Sequence, residues 1–302
     1  SNFLLRIIVC VFLMLIYFLR YLELMQSGGM LEAALHGKAN ADLSAKLGQR
    51  VNHVELNAIV ANVLAQIDAM EAKANQLNGC DSEEASLGCS VTVRYLAQVL
   101  RIWDPEEVYA QTVLAYKLIK ADPRIVGLNF VAPEDHPIAL RDYKMHMGFI
   151  ADIGTMFPEQ TKGITLHSGE LALGLVPPEH LGWHITEAIE VAGARRVGHA
   201  VDIAHTPELY KLLKKMAKDG ILVEINLTSN DVILGVKYPD HPFELYMEYN
   251  VPMALSTDDE GVSRIDLTHE YQRAAQTFNL SYARLRELSR NSLQFNFLPG
   301  AA

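Results

Sequence analysis

Cysteine is scarce in this chain, with three residues in 302, at positions 10, 80 and 89. That number excludes a fold stapled together by a disulfide framework. Basic residues are also in deficit. Lysine and arginine number 26 against 36 aspartates and glutamates, a net charge of −10. A binder of nucleic-acid backbone needs clustered cations, so that class is excluded as well. There is no G-x-S-x-G elbow, no Walker loop and no G-x-G-x-x-G cradle, which removes support for serine-hydrolase and glycine-rich phosphate chemistry. No His-x-His pair occurs either. The eleven histidines stand at 36, 53, 136, 146, 167, 180, 184, 199, 205, 241 and 269. A hydrophobic content of 50% with 21% charged residues is globular and excludes disorder and low-complexity architectures.

What is present is unevenly spread. Ile7 to Leu19 is an unbroken apolar run bracketed by Arg6 and Arg20. Thirteen residues at helical rise span about 20 Å, short of a bilayer core of roughly 30 Å. A membrane anchor through residues 3–19 requires Arg6 to snorkel. A signal peptide suits the length better, but no small-x-small cleavage site follows closely. A buried helix running into a buried strand needs the same apolar stretch. The three readings stay open, and with them a cytoplasmic or an exported or membrane-anchored location. Residues 1–20 are therefore set apart from a main domain at 21–302.

Further along, residues 51–77 read as a helix, with Val60, Val63, Leu64 and Ile67 on one face. A polar loop from Asn78 to Cys89 follows. Its two cysteines either close as a disulfide or remain free thiols. Asp104-Pro-Glu-Glu107 combines an aspartate N-cap, proline at the first helical position and glutamate at the third, a strong helix start. Thr206-Pro-Glu208 opens another helix that Gly220 ends. Short apolar runs at roughly 20–25, 91–100, 125–131, 163–167, 196–199, 222–227 and 252–257 read as strands. Their alternation with helices predicts βαβ units and a parallel sheet.

Polar residues follow these runs in a pattern. His167-Ser-Gly-Glu170, His199, Thr228-Ser-Asn230, Ser256-Thr-Asp-Asp259 and Pro133-Glu-Asp135 each sit at the end of one. A single such end is commonly structural. Five together match the face of a (β/α)8 barrel that carries its chemistry. Histidine and aspartate are ordinary Zn²⁺ ligands, and bound zinc makes water nucleophilic near neutral pH. The side chains therefore suit metal-assisted hydrolysis. A cysteine-liganded deaminase signature is absent.

His167-Ser-Gly-Glu170, Val197-Gly-His199-Ala, Glu224-Ile-Asn-Leu-Thr-Ser-Asn230 and Leu255-Ser-Thr-Asp-Asp-Glu-Gly261 resemble, in order and spacing, the adenosine deaminase family of the amidohydrolase superfamily. Arg290-Asn-Ser292, Phe297-Leu-Pro and His241-Pro242 extend the likeness. Gly127 to Asp135 and Arg141-Asp-Tyr143 place it nearest the bacterial adenosine-deaminase-like branch. The resemblance implies an α/β fold, a (β/α)8 TIM barrel of the metal-dependent hydrolase type. It implies Zn²⁺ as cofactor and hydrolytic deamination of adenosine or a related 6-aminopurine nucleoside, a small-molecule partner. His167 and Asp258 match zinc ligands. Glu170 matches the acid that protonates purine N1 as C6 is attacked, and His199 the imidazole that orients the attacking water. Asp259 matches the carboxylate that holds the attacking group and purine N7. His241 and His269 are expected to be structural. Two departures accompany the likeness. The family's first strand carries a His-x-His pair, so this chain is expected to be an N-terminally incomplete barrel with Tyr21–Met25 as the family's second strand. Pro133 stands where a glycine N–H would contact the purine, and proline has no N–H. The alternative reading is a deaminase-like chain that binds purine without turnover.

Overall fold

The computed structural model describes residues 20–39, 53–160 and 163–298. The apolar run Ile7–Leu19 lies outside the described residues, and so do the anchor and signal readings attached to it. Among the described residues no helix is long and apolar enough to cross a membrane.

Seven strands alternate with helices. They are β1 (Tyr21–Gln26), β2 (Thr92–Leu100), β3 (Ile125–Val131), β4 (Thr165–Ser168), β5 (Arg196–His199), β6 (Leu222–Ile225) and β7 (Met253–Leu255). Between β1 and β2 lie α1 (Met30–Ala39) and α2 (His53–Asn78); α3 (Pro105–Ala121) follows β2 and α4 (Pro137–Met156) follows β3. Next come α5 (His184–Glu190) after β4, α6 (Leu209–Asp219) after β5, then α7 (Leu227–Leu234) and α8 (Phe243–Glu248) after β6. The chain closes with α9 (Glu260–Ser263), α10 (Leu267–Thr277) and α11 (Tyr282–Gln294).

Every strand pairing is parallel and follows chain order, β1-β2-β3 in one ladder and β4-β5-β6-β7 in the other. A single bridge, Leu128 to Ile164, joins the two. Glycine makes that seam possible. A Cβ on Gly127 would lie 2.1 Å from the Gly163 carbonyl oxygen, and one on Gly163 would lie 1.9 Å from that of Val126. Only bare backbone can approach so closely. Among the described residues no strand covers the outer edge of β1 or of β7. The expected strands all form, two of them clearly shortened: residues 252–257 are a strand only over Met253–Leu255, and residues 222–227 end as a strand at Ile225, because Leu227 already opens α7. The chain turns there to bring Asn226 and Asn230 inward.

β3 is buried along almost its whole length, as a parallel strand packed on both faces must be. Val63 and Ile67 of α2 are buried, and Val60 and Leu64 pack against the same core. α3 begins as its sequence indicates, with the Glu107 side chain accepting the Asp104 N–H at 2.9 Å. Cys80 and Cys89 are joined by a disulfide, so the loop between α2 and β2 takes the closed alternative.

At the N-terminal end of the strands Arg196 is almost fully buried. It pairs with Glu23 at 2.5 Å and Glu224 at 2.7 Å and lies 3.9 Å over the Phe297 ring. Glu23 also accepts the Phe297 N–H at 3.0 Å. The cluster ties β1, β5, β6 and the C-terminal tail together across the uncovered edges.

His146 of α4 is a cost in this core. It is fully buried against Phe130 and Phe149, and neither ring nitrogen has a hydrogen-bond partner. Burial pushes its pKa down to about 4. The unfolded chain therefore binds more protons than the folded one as pH falls from 6.5 toward 4, and stability is lost over that window. His146→Leu should stabilise the protein by about 1 kcal/mol at pH 7, with a larger gain at pH 5; urea unfolding at both pH values measures it.

Candidate active site

The C-terminal ends of β4, β5 and β7 converge on one cavity of about 1120 Å³. It runs along the uncovered edges, lined by Leu22, Leu24 and Met25 on one side and Ala254 and Ser256 on the other. His167, His199 and Asp258 stand together at one end. Each offers a ligand atom, and these atoms lie within 4.8 Å of one another.

The strand ends aim these groups by leaving the sheet abruptly. His199 (φ 69°) and Asp258 (φ 55°) both adopt left-handed backbone, uncommon for residues with a Cβ and found where a site imposes it. Gly169 (φ 77°) makes the corresponding turn after β4. A Cβ there would lie 2.6 Å from Asp202 Oδ1 and 2.7 Å from Ile185 Cδ1.

Hydrogen bonds orient both imidazoles. Asn129 Oδ1 accepts the His167 backbone N–H at 3.1 Å, which fixes which way its amide faces. The same oxygen lies 3.0 Å from His167 Nδ1, so that nitrogen carries the proton and Nε2 is left bare for a metal. The Asn230 amide spans His199 Nδ1 at 2.9 Å and His241 Nε2 at 3.2 Å. Burial lowers the pKa of His199 to about 4 and lowers that of His167. Both rings are neutral at pH 7, the form that binds metal. Two neutral imidazoles and one carboxylate, close together and oriented from behind, fit a zinc ion.

Glu170 Oε1 is 3.5 Å from His199 Nδ1, in a side chain only 12% exposed. Burial first, then the negative charges of Asp258 and Glu134, push its pKa up to about 8. It is thus a protonated carboxyl at neutral pH, able to donate. Asp259 is exposed on the cavity wall beside Asp258. Pro133 offers no N–H, and the left-handed residue after β3 is its neighbour Ala132 (φ 80°).

The structure brings His167, His199, Asp258 and Asp259 to one cavity and groups His199 with the two expected ligands, while Glu170 stands beside His199 without lining the cavity. Other residues were not assigned in the sequence. Arg101, fully buried, donates to the Ala132 carbonyl at 2.9 and 3.0 Å and to that of His167 at 2.8 Å. Glu134 accepts the Gly169 and Glu170 N–H groups. The only sequence signal was that Glu134 follows a strand. His241, expected to be structural, supports His199 through Asn230.

Parallel strands with imidazole and carboxylate groups gathered at their C-terminal ends are the arrangement in which barrels of this type carry their chemistry. The adenosine deaminase family model matches residues 15–302, and the chain belongs to that family. An adenosine deaminase from Clostridium perfringens (strain 13 / Type A) is 35% identical over 135 residues, covering 44% of this chain and 37% of that protein. The match thus spans little more than a third of that relative's length. In fold, an amidohydrolase from Burkhoderia ambifaria with bound Zn is similar with a TM-score of 0.59 at 16% identity, over 93% of this chain and 64% of the other. The Arabidopsis ADAL structure complexed with IMP has a TM-score of 0.52 at 24% identity, over 70% and 55%.

The support behind His167 is testable. Asn129→Leu should weaken Zn²⁺ binding by about 10–100-fold and leave the circular dichroism unchanged; competition against a chromophoric chelator gives the affinity.

Proposed function

We propose that this chain carries out zinc-dependent hydrolytic deamination of adenosine or a related 6-aminopurine nucleoside. One observation carries the reading: a buried acid, Glu170, stands 3.5 Å from His199, which with His167 and Asp258 forms a donor group lining a cavity large enough for a nucleoside. Cavities of about 300–1,000 Å³ hold small ligands. The purine nucleotide named with the Arabidopsis fold neighbour supports a ligand of this class.

His167 and Asp258, with a further donor, would hold zinc, whose Lewis acidity would make water nucleophilic for attack at C6. The side chains do the rest. Glu170 donates a proton to N1 as the ring loses aromaticity, the task its raised pKa suits. His199 orients the attacking water and accepts its proton. Asp259 holds the attacking group and purine N7. The proton taken by His199 passes on to the amino group, the C6 hydroxyl proton passes to Glu170, and ammonia leaves C6 with the 6-oxopurine nucleoside remaining. Pro133 removes one N–H from the purine edge, which favours recognition of the base by side chains.

A second reading, purine binding without turnover, draws on β1 and β7, whose outer edges no strand among the described residues covers. Turnover separates the two. The zinc-loaded chain should convert adenosine, and Glu170→Gln should lower kcat by at least about 100-fold with zinc stoichiometry unchanged. A chain that binds one zinc and binds purine but leaves adenosine, adenine and adenosine monophosphate intact would establish the second reading.

A further inference from the structure

We infer that Glu134 is a positioning residue for Glu170, and that the Glu134–His184 pair is what holds the acid's backbone in place. The inference rests on the deaminase reading for its consequence in catalysis, and on geometry alone for the contact itself.

Glu134 follows β3 and is completely buried. Its carboxylate makes three contacts at once. Oε1 accepts the Gly169 N–H at 3.0 Å, Oε2 accepts the Glu170 N–H at 2.8 Å, and Oε1 lies 2.5 Å from His184 Nδ1. Two consecutive amides of the turn after β4 thus point at one carboxylate from another strand end. Gly169 has left-handed backbone and Glu170 begins an irregular stretch, so no ladder or helix holds the turn at that point. Charge-assisted bonds to backbone N–H groups are strong and directional. Here they supply what regular structure does not.

His184 fixes the carboxylate from behind. Its ring stacks on Tyr143 at 3.8 Å, and Trp183 meets it edge-on with centroids 4.1 Å apart. Tyr143 Oη in turn donates to Ser168 Oγ at 2.7 Å, next to His167. The pair shares no atom with the cavity, and Glu134 is not among its lining residues. Glu134 therefore acts through the backbone of Glu170 and touches no substrate.

Three variants of the full chain test this: Glu134→Gln, Glu134→Ala and Glu134→Asp. Glutamine preserves shape but offers one acceptor oxygen to three donors. Glu134→Gln should shift the ¹⁵N–¹H resonances of Gly169 and Glu170 and speed their hydrogen exchange at least about 10-fold, with amides of β2 and β5 unaffected. In turnover, kcat should fall roughly 10–100-fold with KM within about twofold. Alanine should be worse than glutamine, and aspartate, too short to reach both amides, no better than glutamine. Unchanged amide signals in Glu134→Gln overturn the inference, whatever the activity. So does a loss of kcat that merely tracks the folded fraction or is matched by loss of zinc. If the wild-type chain shows no turnover while the amides of Gly169 and Glu170 respond as stated, the deaminase reading fails and the positioning contact stands.

Discussion

One buried cation holds the two halves of the strand wall in register at the site. Arg101 leaves the end of β2 and spends its guanidinium on backbone carbonyls, two bonds to Ala132 and one to His167. Those residues lie at the ends of β3 and β4, the two strands between which the ladder is reduced to a single bridge. A planar fork of five donors can span such a seam, and a lysine cannot. Burying the charge costs several kcal/mol unless it is well paired. The compensation is Glu134, itself fully buried, whose pKa falls to about 2. Burial opposes that ionisation, but the hydrogen bond to His184 and the charge of Arg101 outweigh it.

The consequences spread along the strand ends. The Arg101 charge helps keep His167 neutral and partly offsets the forces that raise the pKa of Glu170. Glu134 has the opposite influence on Glu170, since its charge helps keep that acid protonated. Thus two buried charges, Arg101 and Glu134, bear on the His167 imidazole and the Glu170 carboxyl at once. Left-handed backbone recurs around it at Ala132, Gly169, His199, Ala200 and Asp258. Only one of these is glycine. Each of the four non-glycine departures costs of order 1 kcal/mol or more, and the buried network makes that strain tolerable.

Periodicity and apolar runs were enough to find all seven strands, because a parallel strand buried on both faces is a short hydrophobic word between turns. His167, Glu170, His199 and Asp258 were legible for a related reason. They are polar residues standing just after such words, in a spacing that matches the family. Asn129 was hidden inside an apolar run, and Arg101 looked like any basic residue after a strand. Their roles come from partners 38 and 66 positions away, which no local pattern encodes. The Cys80–Cys89 pair was undecidable from sequence, since free and bonded cysteines there read alike.

His199 is the point at which the chemistry is most constrained. Its Nδ1 faces the Asn230 amide and Glu170, while Nε2 faces Asp258 Oδ2 at 4.0 Å. A catalytic zinc usually keeps three protein ligands, and among the described residues His167, His199 and Asp258 are the one group able to supply them. On the β1 side the cavity presents Leu22, Leu24 and Met25, and neither leucine can ligate. One imidazole edge cannot both bind the metal and take a proton from water. If His199 is the third ligand, proton acceptance falls to another group on the cavity wall, which Asp259 also lines. If a donor from beyond the described residues completes the metal site, Nε2 of His199 is released to act on the water. The Asn230–His241 chain fixes the ring through Nδ1: the Phe243 N–H donates to His241 Nδ1, His241 Nε2 donates to Asn230 Oδ1 and the Asn230 amide donates to His199 Nδ1. The neutral His199 ring therefore carries its proton on Nε2, toward Asp258, and must lose it before that nitrogen binds metal or takes a proton from water.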